Sequence, residues 1–350
     1  MGFAVIRSAL PRHLWARGSA LVSAMFGVGT FVGPALGGLV AQFGSWRPAF
    51  VVLAVAAAVP AVLVPRALPR GGRHERAHPV PVRSLVLVVG AAAAVSVAGI
   101  LSNEVAMAAF LALGIAAVLA FAVTERRAAV RVLPRSTYQA GSALRWVYLT
   151  IAFLASGVAV ETFLPLFARQ LGGLPPAVAG LFAAVLSLGW SVSQVVSSSA
   201  HRERTVRRLR VAGPALLAAG FAVLALLQHR DASLPVVLAW LTVLLAGGAG
   251  IGIAMPHLSV AAMASTDDPE EGKQAAAAIA TVLRMSTAFG AAVAGLLVNL
   301  GAPSTVLSAR YLLAGFAVLA AFGVGTAWRA DRLARQPSAA AGVATGTGGR

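Results

Sequence analysis

Four polar side chains sit inside largely apolar stretches of this chain, and they are the residues best placed to do chemistry. Glu161 lies in Val160-Glu161-Thr162-Phe163-Leu164-Pro165, Gln194 follows Gly189-Trp190, His257 closes Met255-Pro256-His257, and Arg284 stands among small and aliphatic residues. A charged group at membrane depth costs about 2.5–3.5 kcal/mol on insertion scales, so each such residue is a functional candidate. A carboxyl kept from water can bind and release a proton near neutral pH. Glu161 can therefore carry a coupling proton or draw in a cationic substrate; the alternative is a solvated place near the outer mouth. Arg284 can neutralise Glu161, bind an anionic substrate, or snorkel to the interface. His257 has a side chain suited to proton relay, against the plainer role of an interfacial structural histidine. Gln194 is in position to contact a substrate, and Trp190 serves equally for packing or as an interface aromatic.

The elements that position these residues follow from composition. The chain is 59% hydrophobic with a mean hydropathy of +0.83, against about 45–50% apolar residues in soluble domains. A soluble domain could not bury that much apolar surface, so an all-α polytopic membrane protein is expected. There are no cysteines, which excludes disulfides, thiolate metal sites and cysteine nucleophiles. Length, apolarity and breakers predict about ten full membrane helices. They run over 18–43, 47–65, 84–102, 105–124, 146–168, 175–200, 210–228, 234–263, 274–299 and 306–328, with residues 1–10 as the tail of an eleventh. Arg7 interrupts the first apolar stretch too early for a cleavable signal peptide. Residues 337–350, rich in Ser, Ala, Gly and Thr, are expected to be a disordered tail.

The formal charge of +17 and the pI of about 11.9 could suggest a nucleic-acid partner. The positions of the charges argue otherwise. With residues 11–17 in the cytoplasm and sides alternating thereafter, most of the 28 basic residues fall in cytoplasmic loops. Arg47, Arg169, Arg230 and Arg310 remain near the outer side, and Arg284 falls inside a span. That is the positive-inside pattern. The acidic run Asp267-Asp268-Pro269-Glu270-Glu271 is also cytoplasmic, and acidic residues count little in the rule. The Arg-rich loop 202–210 lacks interleaved aromatics, so nucleic acid is not an expected partner.

Residues 29–38 read Gly-Thr-Phe-Val-Gly-Pro-Ala-Leu-Gly-Gly. Gly29, Gly33 and Gly37 share one helix face, where bare backbone lets another helix approach closely. Pro34 removes one internal hydrogen bond and bends the rod. Spacing alone is equally satisfied by a plain packing face. The pattern Gly29-xxx-Gly33-Pro34-xx-Gly37-Gly38 resembles the antiporter motif of the major facilitator superfamily, which lies there on the fifth transmembrane helix. Arg7, Pro11, Arg12 and Arg17-Gly18-Ser19-Ala20 resemble the loop entering that helix. Gly44-Ser45-Trp46-Arg47-Pro48-Ala49-Phe50 resembles the turn leaving it.

The resemblance implies two six-helix bundles around a central cavity, and a proton-coupled exporter, especially of drugs. Numbering from the motif, eight helices follow the sixth. This resembles the fourteen-helix branch, with an extra pair between the bundles. The implied organisation is 1–65 as the end of the N-terminal bundle, 66–83 as a basic cytoplasmic loop, and 84–124 as the extra pair. A cytoplasmic loop at 125–145, a C-terminal bundle at 146–328 and a disordered cytoplasmic tail at 329–350 complete it. The first three helices and most of the fourth, with the family's basic loop motif, are expected to be missing; a mis-called start, a degraded gene and a fragment all fit. By resemblance, the Gly29–Gly38 helix should cross the 175–200 helix near Gly180 or Gly189.

Other classes lack their signatures. There is no phosphate-cradling GxxxxGK[ST] segment, no metal-spaced cluster and no nucleophile–base pair. No cofactor, metal or enzymatic activity is expected. The expected partners are the lipid bilayer, protons and a small amphipathic substrate moved outward across the plasma membrane by alternating access. A non-transporting remnant and a facilitator for one metabolite are the alternatives.

Overall fold

The computed structural model describes residues 6, 10–22, 25, 28–29, 47–67, 81–101, 103–128, 131–139, 141–266 and 268–335. No strand occurs among them. After helical residues 15–22, the chain forms α1 (Arg47–Ala67), α2 (Val82–Ala98), α3 (Glu104–Arg127), α4 (Leu144–Ser156) and α5 (Leu164–Gln170). It continues as α6 (Pro176–Ser197), α7 (Glu203–Leu227), α8 (Leu234–Met263), α9 (Pro269–Leu300) and α10 (Thr305–Ala334). Among the described residues, seven helical segments are long and apolar enough to cross a membrane, with Phe50–Leu63 and Val82–Ala98 as shorter apolar helices.

Local chemistry sets several ends. Asn103 caps α3 by accepting the Ala106 N–H at 3.0 Å, and Ser304 caps α10 through the Leu307 N–H. Glu104 in the first turn of α3 and Arg126 and Arg127 in its last suit the helix dipole.

Four expectations need correction. The continuous span 146–168 is instead α4, a 3-10 stretch Gly157–Thr162, and α5. Pro165 has no N–H to offer the carbonyl of residue 161, four positions earlier, so the α-helical ladder fails there. The loop 202–210 is mostly helix, because α7 starts at Glu203, an acidic residue that suits a first turn. In the same way α9 starts at Pro269 rather than 274, and α10 carries the chain to Ala334, past the expected tail boundary at 329. The span 18–43 lies mostly outside the described residues, as do residues 337–350.

The core is centred on α6, α7, α8 and α10, with α4 and α9 packed alongside and the α2–α3 hairpin set against α9. Ile151, Leu186, Leu217, Phe221, Leu258 and Phe316 are fully buried. Phe221 meets Phe316 edge-on at 6.4 Å between α7 and α10. Thr150 and Thr326 share a hydrogen bond of 2.8 Å between α4 and α10. The α6–α8 crossing depends on glycine. A Cβ at Gly189 would overlap the Leu245 carbonyl, and one at Gly248 would overlap that of Leu186. Every described α1 side chain is exposed, which an apolar helix tolerates in lipid.

Contacts between helix ends sort the chain into two faces. On one, Arg329 of α10 lies over the Trp146 ring of α4 at 4.8 Å, and the Ser136 N–H donates to Glu271 at 2.9 Å. On the other, Arg310 of α10 donates to the Gln228 carbonyl after α7, and Thr305 donates to Gln170. The side chain of Asn299, at the end of α9, donates to the Gly99 carbonyl after α2. Arg126, Arg131, Arg135, Arg145 and Arg329 gather at the first face.

Candidate functional site

Glu161 sits in the 3-10 stretch between α4 and α5, held there by the missing amide of Pro165. It is buried, at 8% exposure. Its Oε1 accepts the Ser187 main-chain N–H from the middle of α6 at 2.8 Å. In an α-helix that amide normally serves the carbonyl four residues earlier, so the carboxylate must stand hard against the α6 backbone. The small residues Ala183 and Ala184, one turn before, leave room for it. Arg284 forms no ion pair with Glu161; it is exposed near the middle of α9. The arrangement is an acid with no cation beside it among the described residues, at a break in an apolar span, resting on a neighbouring helix.

His257 and Gln194 are used inside the fold. Ser197 Oγ donates to the Ile253 carbonyl at 2.9 Å and lies 2.9 Å from His257 Nε2. A hydroxyl has one hydrogen to give, so the imidazole donates from Nε2. This ties α6 to α8 near one end. Gln194 is 1% exposed. Its Oε1 accepts Trp190 Nε1–H at 2.6 Å, and its Nε2 donates to the Ser19 carbonyl at 3.1 Å. The amide thus clamps the segment entering the expected 18–43 span onto α6. Gly189 faces α8, and among the described residues no atom lies within 4 Å of a Cβ built at Gly180 or Gly29. Gly33, Pro34, Gly37 and Gly38 lie outside the described residues.

The family model described as Major Facilitator Superfamily matches residues 1–291, which include all four polar candidates. The chain belongs to the major facilitator superfamily. It is 44% identical over 343 residues to a Mycobacterium tuberculosis protein (strain CDC 1551 / Oshkosh) named "Probable multidrug-efflux transporter", covering 96% of this chain and 73% of that relative. The counterpart in strain ATCC 25618 / H37Rv matches equally, at 44% identity over the same shares of both chains. An "Uncharacterized MFS-type transporter" of Mycobacterium tuberculosis (strain CDC 1551 / Oshkosh) is 28% identical, covering 84% of this chain and 43% of its own length. Family and relatives make this chain a multi-pass membrane transporter rather than an enzyme.

This facilitator also contains a cavity that the sequence does not announce. It has a volume of about 620 Å³ and lies between the α2–α3 hairpin and the faces of α4 and α9. None of Glu161, Gln194, His257 and Arg284 lines it. Phe121, Phe153 and Phe289 form apolar walls, and Arg126, Thr137, Tyr138 and Arg145 gather at one end. Those arginines read in the sequence only as loop charge; they converge where linker residues 131–139 fold back between α3 and α4. Tyr138 O–H donates to Glu125 at 2.7 Å, and the Val132 N–H reaches both Glu125 oxygens.

Proposed function

We propose that this facilitator is a proton-coupled exporter of small amphipathic molecules, working by alternating access. The observation that carries the reading is Glu161: a buried acid at a break in its span, bonded to the α6 backbone and not to a cation. An acid so placed can change its protonation as neighbouring helices move. The name of the relatives at 44% identity supports an amphipathic, drug-like substrate class. In this reading α2 and α3 are the extra pair of a fourteen-helix arrangement, residues 146–328 are the C-terminal bundle, and residues 1–65 close the N-terminal bundle. The arginine-rich face, the loops 66–83 and 125–145 and the C-terminus are cytoplasmic, by the positive-inside rule. Glu161 carries the proton or the substrate cation, and Arg284 faces lipid or substrate. Gln194 and His257 hold α6 in place, and Gly29, Gly33, Pro34, Gly37 and Gly38 form a packing and gating face.

The test is flux of a fluorescent amphipathic cation in proteoliposomes under an imposed pH gradient. Substrate should accumulate on the acid side, and an ionophore that collapses the gradient should stop it. Flux indifferent to the ionophore would indicate a facilitator without proton coupling. Flux no greater than in protein-free liposomes, for drugs and metabolites alike, would indicate a non-transporting membrane protein.

A further inference from the structure

The cavity beside α4 joins an apolar interior to a basic end. Its depth is apolar, walled by Phe121, Phe153, Phe289 and Val293. Its other end carries Arg126 in the last turn of α3 and Arg145 in the first turn of α4. Two lining groups there have polar atoms with no partner among the described residues. Thr137 is 4% exposed with its Oγ1 unbonded, and Arg145 Nε is likewise buried and unbonded. A buried donor left unsatisfied costs roughly 1–3 kcal/mol, so an acceptor that reaches either atom as the side chains adjust is favoured at this end. The nearby Glu125 carboxylate bonds to the Val132 N–H and the Tyr138 O–H, and to neither Thr137 nor Arg145. Arg145 also lies over the Trp146 ring at 5.3 Å, which holds its stem in place.

We propose that this cavity binds one anionic phospholipid, its phosphate on Arg145 and Thr137 beneath Arg126 and an acyl chain along the phenylalanine wall. Charge complementarity chooses the head, and the apolar depth chooses the tail. A volume of about 620 Å³ lies within the range of about 300–1,000 Å³ for small-molecule sites. Val118 and Leu149 line the cavity at 43% and 41% exposure, so its rim is apolar and suited to entry from the bilayer. The basic residues stand at the arginine-rich end of the spans. With the orientation proposed above, the lipid comes from the cytoplasmic leaflet, where anionic headgroups meet juxtamembrane arginines. Bound there, it wedges the α2–α3 hairpin against α4 and α9.

The test is native mass spectrometry of the detergent-purified protein in mixed micelles with equal phosphatidylglycerol and phosphatidylcholine. The wild type should retain one phosphatidylglycerol in preference to phosphatidylcholine. In the Arg126→Ala/Arg145→Ala double variant that preference should fall by about thirtyfold, the factor expected for two arginines beside an anionic headgroup. Ala152→Trp fills the cavity with both arginines intact and should also lose the lipid; if it fails to fold, Val118→Trp fills it from the opposite wall. Equal retention of both lipids, or retention undiminished in the variants, would overturn the proposal. Displacement by equimolar inorganic phosphate would show a simple anion site, and displacement by an amphipathic cation would show a substrate pocket; either overturns it too. Retention is read without transport, so failure here leaves the efflux reading standing, and failed efflux leaves the lipid site standing.

Discussion

The Glu161 carboxylate accepts the Ser187 main-chain N–H at 2.8 Å, so an acid within an apolar span leans on the backbone of a neighbouring helix and, among the described residues, not on a cation. Glu161→Gln keeps the acceptor oxygen and nearly the same shape while holding the group neutral. It should insert and fold normally, yet reduce pH-gradient-driven efflux to the level of protein-free liposomes. If Glu161 instead only attracts cations, the variant will lose cation transport and keep neutral substrates. Unchanged pH-dependent efflux of both substrate types would remove Glu161 from the mechanism.

His257 should behave as a structural residue. His257→Ala removes the donor to Ser197 Oγ, which keeps its bond to the Ile253 carbonyl, and leaves a void, so it should lower stability by about 0.5–3 kcal/mol, read as a fall in melting temperature. His257→Gln can still donate toward Ser197 and should recover much of it. Neither change should move the pH profile of efflux; a shifted profile would restore the proton-relay role.

Adjacent glycines in α8 should differ sharply. A Cβ at Gly248 overlaps the Leu186 carbonyl, whereas one at Gly247 meets only the Leu217 side chain, at an ordinary 3.7 Å. Gly248→Ala should destabilise the α6–α8 crossing by about 1–3 kcal/mol, and Gly247→Ala should be tolerated. Equal melting temperatures for the two variants would mean that the crossing is looser than described.

The linker after α3 should be sensitive to alkali. Burial first, and then the hydrogen bond to Glu125, raise the Tyr138 phenol well above its ordinary value of 10.0. The folded state therefore holds this proton more tightly than the unfolded chain does. The stability it contributes is fully present below about pH 10 and is lost as pH rises beyond that. Melting temperatures between about pH 9 and 11 should fall less steeply for Tyr138→Phe than for wild type. Parallel slopes would show that the Tyr138 proton makes no contribution.

Much of the helical layout is legible along the chain, because membrane insertion and backbone satisfaction are settled over about twenty consecutive residues at a time. α1, α2, α3, α6 and α8 lie close to their expected ranges for that reason. Glu161 stands out in the same way, as an acid among aliphatic residues, and Pro165 four positions later contains the reason for the break. The arginines of 202–210 mislead, because charge density alone reads as loop while Glu203 and packing against α8 and α10 support a helix from its first turn. Only the tertiary structure decides which atoms those residues meet. The Ser187 amide, the Ser19 carbonyl and the Ser197 hydroxyl lie 26, 175 and 60 residues from their partners. Pairing over such distances depends on how helices cross, and that is set by close glycine contacts such as Gly248 on Leu186. The cavity is the extreme case. Its walls come from α2, α3, the linker, α4, α9 and α10, and no single stretch of sequence carries its shape. A cavity of this kind, with two donors unpartnered among the described residues, arises only where separate helices come together.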